Sequence, residues 1–188
     1  MHKLHVIIAS TRPGRAGLPI GKWAFERAQA HAGFEVELVD LAEQNLPLFD
    51  EPNHPRQKKY VHDHTKAWSA KVDAADAFVV VTPEYNFSSP PALINAFHYL
   101  AQEWEYKPLG FVSYGGVSGG LRSVQATKLL VTTFKMVPIP EQVTIPSFPQ
   151  HLQDGVFTGT DQHDKGMRTM LDELVRWTGA LSTLRKKA

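Results

Sequence analysis

Five short strand-like runs, each followed by an amphipathic stretch, constrain this chain more than any other feature. The runs are residues 4–9, 34–41, 77–81, 109–114 and a short segment within 136–145 that Pro138 and Pro140 interrupt. Between and after them, residues 19–32, 58–75, 91–100, 121–134 and 161–184 carry apolar residues at helical spacing. In 19–32 the stripe is Ile20, Trp23, Ala24 and Arg27, with Gly33 as the stop. In 161–184 it is Met167, Met170, Leu171, Leu174, Thr178 and Leu181, and the basic tail Arg185, Lys186 and Lys187 suits the negative end of that helix. Strands that are almost continuously apolar and separated by helices belong to a parallel sheet covered on both faces.

The sequence therefore predicts an α/β protein, a flavodoxin-like three-layer sandwich with a five-stranded parallel sheet in the order 2-1-3-4-5. The 188 residues form one domain, 1–188, with no repeat or linker. Residues 45–56, rich in proline and acid, and residues 146–160 read as irregular.

In such a sheet ligands bind outside the carboxyl ends of the strands. Three loops follow strands there. The first contains Ser10, Thr11, Arg12, Pro13, Gly14 and Arg15, so two hydroxyls and two guanidinium groups precede a helix. Backbone amides at a helix N-terminus attract phosphate, and arginine adds charge-assisted hydrogen bonds. A polar turn with exposed arginines is the plainer alternative. A triphosphate-binding loop is excluded: in the nearest match Ala16 replaces the first glycine, Trp23 replaces the metal-binding hydroxyl and Pro19 removes an amide. The second loop contains Pro83, Glu84, Tyr85, Asn86, Phe87 and Ser88. The Tyr85 ring can lie along a flat group, and the Asn86 amide both donates and accepts. Glu84 reads as a loop-shaping or solvent-facing residue; no catalytic side chain is assigned. The third loop runs from Gly115 and Gly116 to Gly120, where glycines let backbone approach a ligand. A phosphate beside a planar ring points to flavin mononucleotide (FMN).

Composition removes several other chemistries. Zero cysteines exclude disulfides, thiolate metal sites and a cysteine nucleophile. The net charge of +1 argues against nucleic-acid or membrane-surface binding. No targeting segment precedes the first strand and no apolar run spans a bilayer, so a cytoplasmic protein is expected. The nine histidines form no metal site; His62 and His64, two apart on an expected helix, should diverge.

Taken together these segments resemble the NADPH-dependent FMN reductase family, which includes quinone, chromate and azo-dye reductases. The matching pieces are the Ser10 to Arg15 loop, Asp40 and Leu41 with Leu46, Pro47, Leu48 and Phe49, the Thr82 to Ser88 segment with Pro91, Leu93, Asn95 and Ala96, Lys107 and Pro108, and Gly115 to Gly120. The resemblance implies phosphate contacts by Ser10, Arg12 and Arg15, ring contacts by Pro83, Glu84, Tyr85 and Asn86 largely through backbone, and Gly115 and Gly116 near the flavin. It implies NADPH or NADH as hydride donor, a small-molecule electron acceptor, and a homodimer or dimer of dimers with the site at the subunit boundary. Two departures fall on residues 91–100: Ile94 stands where a lysine is common, and Phe97, His98 and Tyr99 replace the usual sequence. Those three point around a helix, and one core-facing stripe should not bury them all, so this helix is expected at a subunit contact. A flavodoxin-type electron carrier is the alternative; such carriers are strongly acidic, unlike this chain.

Overall fold

A computed structural model describes residues 1–185. Its central sheet contains β1 (His2–Ile8), β2 (Phe34–Asp40), β3 (Ala77–Pro83), β4 (Pro108–Tyr114) and β5 (Val137–Ile145), all parallel, in the order β2-β1-β3-β4-β5. Register is set by the apolar runs: Val6 lies beside Val79, and Val80 beside Phe111. Every residue of β3 and β4 is buried, as central strands covered on both faces must be.

Alternation along β1 assigns the two covering layers. Leu4 and Val6 point into a core built with α1 (Gly17–Gln29) and α6 (Asp161–Arg185), through Ile20, Trp23, Met170 and Leu174. Ile7 and Ala9 point to the other face, where α3 (Asp63–Ala74), α4 (Pro91–His98) and α5 (Leu121–Thr132) contribute Trp68, Leu93, Phe97 and Val124. Fully burying one such side chain stabilises by about 1.5–3 kcal/mol, so two large cores fix the sandwich without help from the loops.

The structure departs from the sequence reading in several elements of the fold. A short helix α2 (Leu41–Gln44) follows β2, capped by the Asp40 carboxylate on the Ala42 amide at 3.0 Å. The helix expected from residue 58 begins at Asp63, because Glu51 accepts the Val61 and His62 amides at 2.9 and 3.0 Å and holds them outside it. β5 runs unbroken for nine residues; it is an edge strand, and a register shift opposite Leu109 and Phe111 absorbs its prolines. Residues 146–160 are not wholly irregular: β6 (Leu152–Gln153) and β7 (Val156–Phe157) form a hairpin. Finally, Phe97 and Tyr99 are both buried within the chain, and only His98 of the three is exposed. The strap of residues 45–62 covers Tyr99, whose single hydroxyl proton is shared between the Pro47 carbonyl and Asp50 Oδ1, each 3.0 Å away.

Arg185 stands in the last turn of α6, as expected, and its guanidinium also binds Asp76 Oδ1 at 2.8 Å and the Tyr106 carbonyl at 2.9 Å. Lys186 and Lys187 lie outside the described residues. Among the described residues no helix is long and apolar enough to cross a membrane.

Candidate functional site

The three loops open together at the carboxyl ends of β1, β3 and β4. After β1 the chain turns through Gly14, with φ +68°, and the Arg15 amide donates to the Arg12 carbonyl at 3.2 Å. α1 then starts without a cap: Ala16 offers no side-chain acceptor, and the first turn holds no acid. Its first amides have no intrahelical partner and sit at the positive end of the dipole.

Gly17 permits the close packing behind this turn. A Cβ there would overlap Ser10 Oγ and lie 2.6 Å from the Tyr114 hydroxyl. Ser10 is fully buried; its Oγ neighbours the Tyr114 hydroxyl but completes no hydrogen bond of good geometry among the described residues. Arg15 Nη2 pairs with Asp40 Oδ2, which fixes the guanidinium, and its buried Nε is left without a partner. Unpartnered buried polar groups cost free energy unless something satisfies them. An anion at the uncapped helix end would offer acceptors beside these donors, and the chemistry of the donor set fits a phosphate.

The second loop is satisfied from within. The Tyr85 amide donates to the Ser88 carbonyl at 3.0 Å, and the Ser88 amide donates back at 2.9 Å. Asn86 and Phe87 between them have φ of +49° and +65°, the two positive values of a type I′ turn. The Glu84 amide donates to the Tyr114 carbonyl at 3.2 Å, joining this loop to β4. Its carboxylate accepts from Ser118 Oγ at 2.6 Å, from the Arg122 amide at 3.1 Å and from Arg122 Nε at 2.6 Å. Burial alone would raise this carboxyl, but the bonds from Ser118 and Arg122 prevail and hold it below the ordinary glutamate value. Glu84 thus shapes the loop.

The third loop is pinned to β5: the Gly115 amide donates to the Ile145 carbonyl at 3.3 Å, and the Ser147 amide to the Gly116 carbonyl at 2.9 Å. Gly120, at φ +88°, has no room for a Cβ, which would lie 2.8 Å from the Tyr114 nitrogen.

Between the loops lies a cleft of about 740 Å³, within the size range of small-molecule sites. Arg12, Arg15, Pro83, Glu84, Tyr85, Gly115 and Gly116 line it. Thr11 instead faces a neighbouring cavity of about 270 Å³ with Asn45 and Asn95, and Asn86 sits exposed at the corner of its turn. A cavity of about 660 Å³ beside Arg56, His98 and Phe134 contains none of the residues of the three loops.

Sequence reasoning missed part of the wall. Tyr114, Phe148, Leu152 and Gly155 also line the cleft, the Phe148 ring edge-on to Tyr114 at 5.3 Å. Burial pushes the Tyr114 phenol up, so it remains a neutral donor. Asp154 and Gly155, both at positive φ between β6 and β7, were a legible hairpin signal. His62 and His64 do not diverge: their rings stack 5.1 Å apart, because His62 precedes α3, and both face Asp50. Among the described residues no group of three potential ligands has the geometry of a metal site.

Comparison with known proteins adds independent findings. The family model of NADPH-dependent FMN reductases matches residues 2–150. An NAD(P)H-dependent FMN reductase of Schizosaccharomyces pombe is 34% identical over 187 residues, 98% of this chain and 86% of the yeast protein. An NADPH azoreductase of a Bacillus species is 34% identical over 124 residues, 65% of this chain and 66% of that protein. Among solved structures, a flavoenzyme NAD(P)H:(acceptor) oxidoreductase of Paracoccus denitrificans superposes with a TM-score of 0.72 at 21% identity, covering 96% of this chain and 98% of the other.

Proposed function

This chain belongs to the NADPH-dependent FMN reductase family, and we propose that it is an NAD(P)H oxidoreductase holding FMN in the cleft between its three loops. FMN-dependent oxidation of NAD(P)H is the activity of the family, and relatives named as reductases place the chain among enzymes rather than electron carriers. The observation that carries the assignment of the cleft is the unsatisfied donor set, Ser10 Oγ and Arg15 Nε, at the uncapped start of α1.

Ser10, Arg15 and the α1 amides would hold the phosphate, with Arg12 and Thr11 at its border. Pro83, Glu84, Tyr85 and Asn86 would meet the ring system, and Gly115 and Gly116 would let backbone approach its other edge. When bound, FMN supplies the group that accepts hydride and then gives up electrons; the protein contributes orientation and electrostatics. The Glu84, Tyr85, Ser88 and Gly115 amides are committed within the protein and hold the loops in place, so the Asn86 and Gly116 amides would be the ones to act as preorganised donors for negative charge as it develops. Tyr85 borders the opening through which a nicotinamide and then a small acceptor, such as a quinone, a flavin or an azo compound, would enter in turn.

Alternation in one opening is a ping-pong cycle. Varied NAD(P)H at several fixed quinone concentrations should give parallel double-reciprocal lines, and Tyr85→Ala should alter the acceptor step or flavin retention. Intersecting lines would mean that both substrates bind together. Failure of NADPH and NADH alike to bleach the flavin anaerobically would overturn the enzyme reading. A homodimer goes with the family resemblance and with exposed Phe87, Val117 and Leu129 near or on α5. Light scattering near twice the 21.0 kDa chain mass supports it, and a single-chain mass refutes it. A cytoplasmic setting suits a chain without cysteine.

A further inference from the structure

The second loop holds a shape that its own sequence does not favour. Asn86 tolerates positive φ, but Phe87 at +65° is a bulky residue in the left-handed region, and it is 70% exposed. Such strain persists only where the surroundings over-determine it. The turn contains two short backbone bonds and no buried side chain of its own that could impose this conformation.

Arg122, from the first turn of α5, touches this segment at two places. Its guanidinium carbon lies 4.0 Å from the centroid of the Phe87 ring, stacked on one face of the strained residue. The same guanidinium grips Glu84 through Nε at 2.6 Å, and the Arg122 backbone amide adds a third contact at 3.1 Å. Glu84 precedes the turn and Phe87 closes it, so one side chain bridges both ends of the segment presenting Tyr85 and Asn86. The support beneath is rigid. Ser123, the next residue of α5, joins Thr82 Oγ1 at 3.1 Å, and Ser89 Oγ reaches the Ser123 carbonyl at 3.0 Å and Thr127 Oγ1 at 2.6 Å, all buried. Hydroxyl contacts therefore lock α5 to both flanks of the loop from below, and Arg122 locks it from above.

We infer that Arg122 is a positioning residue, which preforms the Tyr85–Ser88 turn through Glu84 and Phe87 and so sets the ring side of the cleft before FMN arrives. This rests on the reading that the Pro83–Asn86 segment borders the flavin ring. The shape of the guanidinium matters as well as its charge: a planar fork both grips a carboxylate and stacks on a ring, and an ammonium does not.

The test uses the full chain with and without FMN, as wild type, Arg122→Ala and Arg122→Lys. Amide exchange at Tyr85 and Ser88 in the flavin-free protein reads the turn directly. Exchange there should accelerate at least about tenfold in both variants, while Val79 and Val80 in β3 stay protected. FMN and riboflavin should both bind about tenfold more weakly, because the loss falls on the ring side that they share. Unchanged exchange at Tyr85 and Ser88 would overturn the inference, as would wild-type behaviour of Arg122→Lys, which would reduce Arg122 to a mere charge. A loss of affinity for FMN alone would also overturn it, by moving Arg122 to the phosphate side. If wild-type protein binds neither flavin, the cleft assignment fails, and the exchange measurement still decides whether Arg122 holds the turn.

Discussion

The loop after β1 and the loop after β3 lie side by side at one edge of the sheet, yet they are finished in opposite ways. The second is closed on itself: its amides pair across a turn, its carboxylate is clasped, and a guanidinium stacks on its strained residue. The first is open: the helix it feeds is uncapped, and a buried hydroxyl and a buried guanidinium nitrogen have no partner. A loop that must contact a planar ring by shape gains from being rigid beforehand. A loop that must bind an anion keeps donors in reserve, at a cost in stability that the anion offsets.

The sharpest way to break this contrast is to fill the space behind the open loop. Gly17→Ala drives a Cβ into Ser10 Oγ and against the Tyr114 hydroxyl. Overpacking of this kind costs about 1–3 kcal/mol of stability. FMN affinity should fall at least about tenfold as well, since Ser10 is displaced. Gly116→Ala is the control: no atom lies within 4 Å of its Cβ, so melting should stay within about 0.5 kcal/mol of wild type. Equal melting temperatures for the two variants would show that the first loop is looser than described.

Removing one donor tests the open loop without overpacking it. Arg15→Ala takes away a candidate charged hydrogen bond to the phosphate, and FMN binding should weaken by about 1.5–3 kcal/mol. It also strands Asp40, which is buried and paired with Arg15, so the flavin-free protein should melt earlier. Equilibrium titration of flavin fluorescence measures the first effect; an unchanged dissociation constant removes Arg15 from the site.

The smallest effect belongs to the closed loop and to pH. The folded pKa of Glu84 lies below the ordinary value of 4.5, so its clasp contributes stability above that value and loses it as pH falls through the lowered one. Glu84→Gln should therefore melt earlier than wild type at neutral pH, and the two melting temperatures should converge in acid. A gap that is constant down the pH range would mean that the Glu84 charge contributes nothing to the clasp.

These contrasts also explain what could be read from the sequence. Strand positions and sheet order were legible because central parallel strands must be continuously apolar, as residues 77–81 are. The three loops were legible because glycine, proline, arginine and tyrosine follow those strands directly. Partnerships made by tertiary contact were not. Nothing local to Gly17 announces Ser10 and Tyr114 behind it, and nothing in the Arg15 segment announces Asp40, 25 residues away. Glu84 was recognisable as a loop-shaping residue, but its partners Ser118 and Arg122 are 34 and 38 residues distant. The late start of α3 likewise depends on Glu51, an acceptor in a loop that composition alone marks as irregular. The hairpin at Asp154 and Gly155 is different: the turn pair was in plain view, and only the shortness of its strands concealed it.

One titration reaches the division of labour between the two loops most directly. Riboflavin shares the ring system of FMN and lacks the phosphate. If the open loop is an anion site, wild-type protein should bind FMN about a hundredfold more tightly than riboflavin, the size expected for two charge-assisted hydrogen bonds. Equal affinities for the two flavins would contradict it, because the unsatisfied donors around α1 would then have no phosphate to serve.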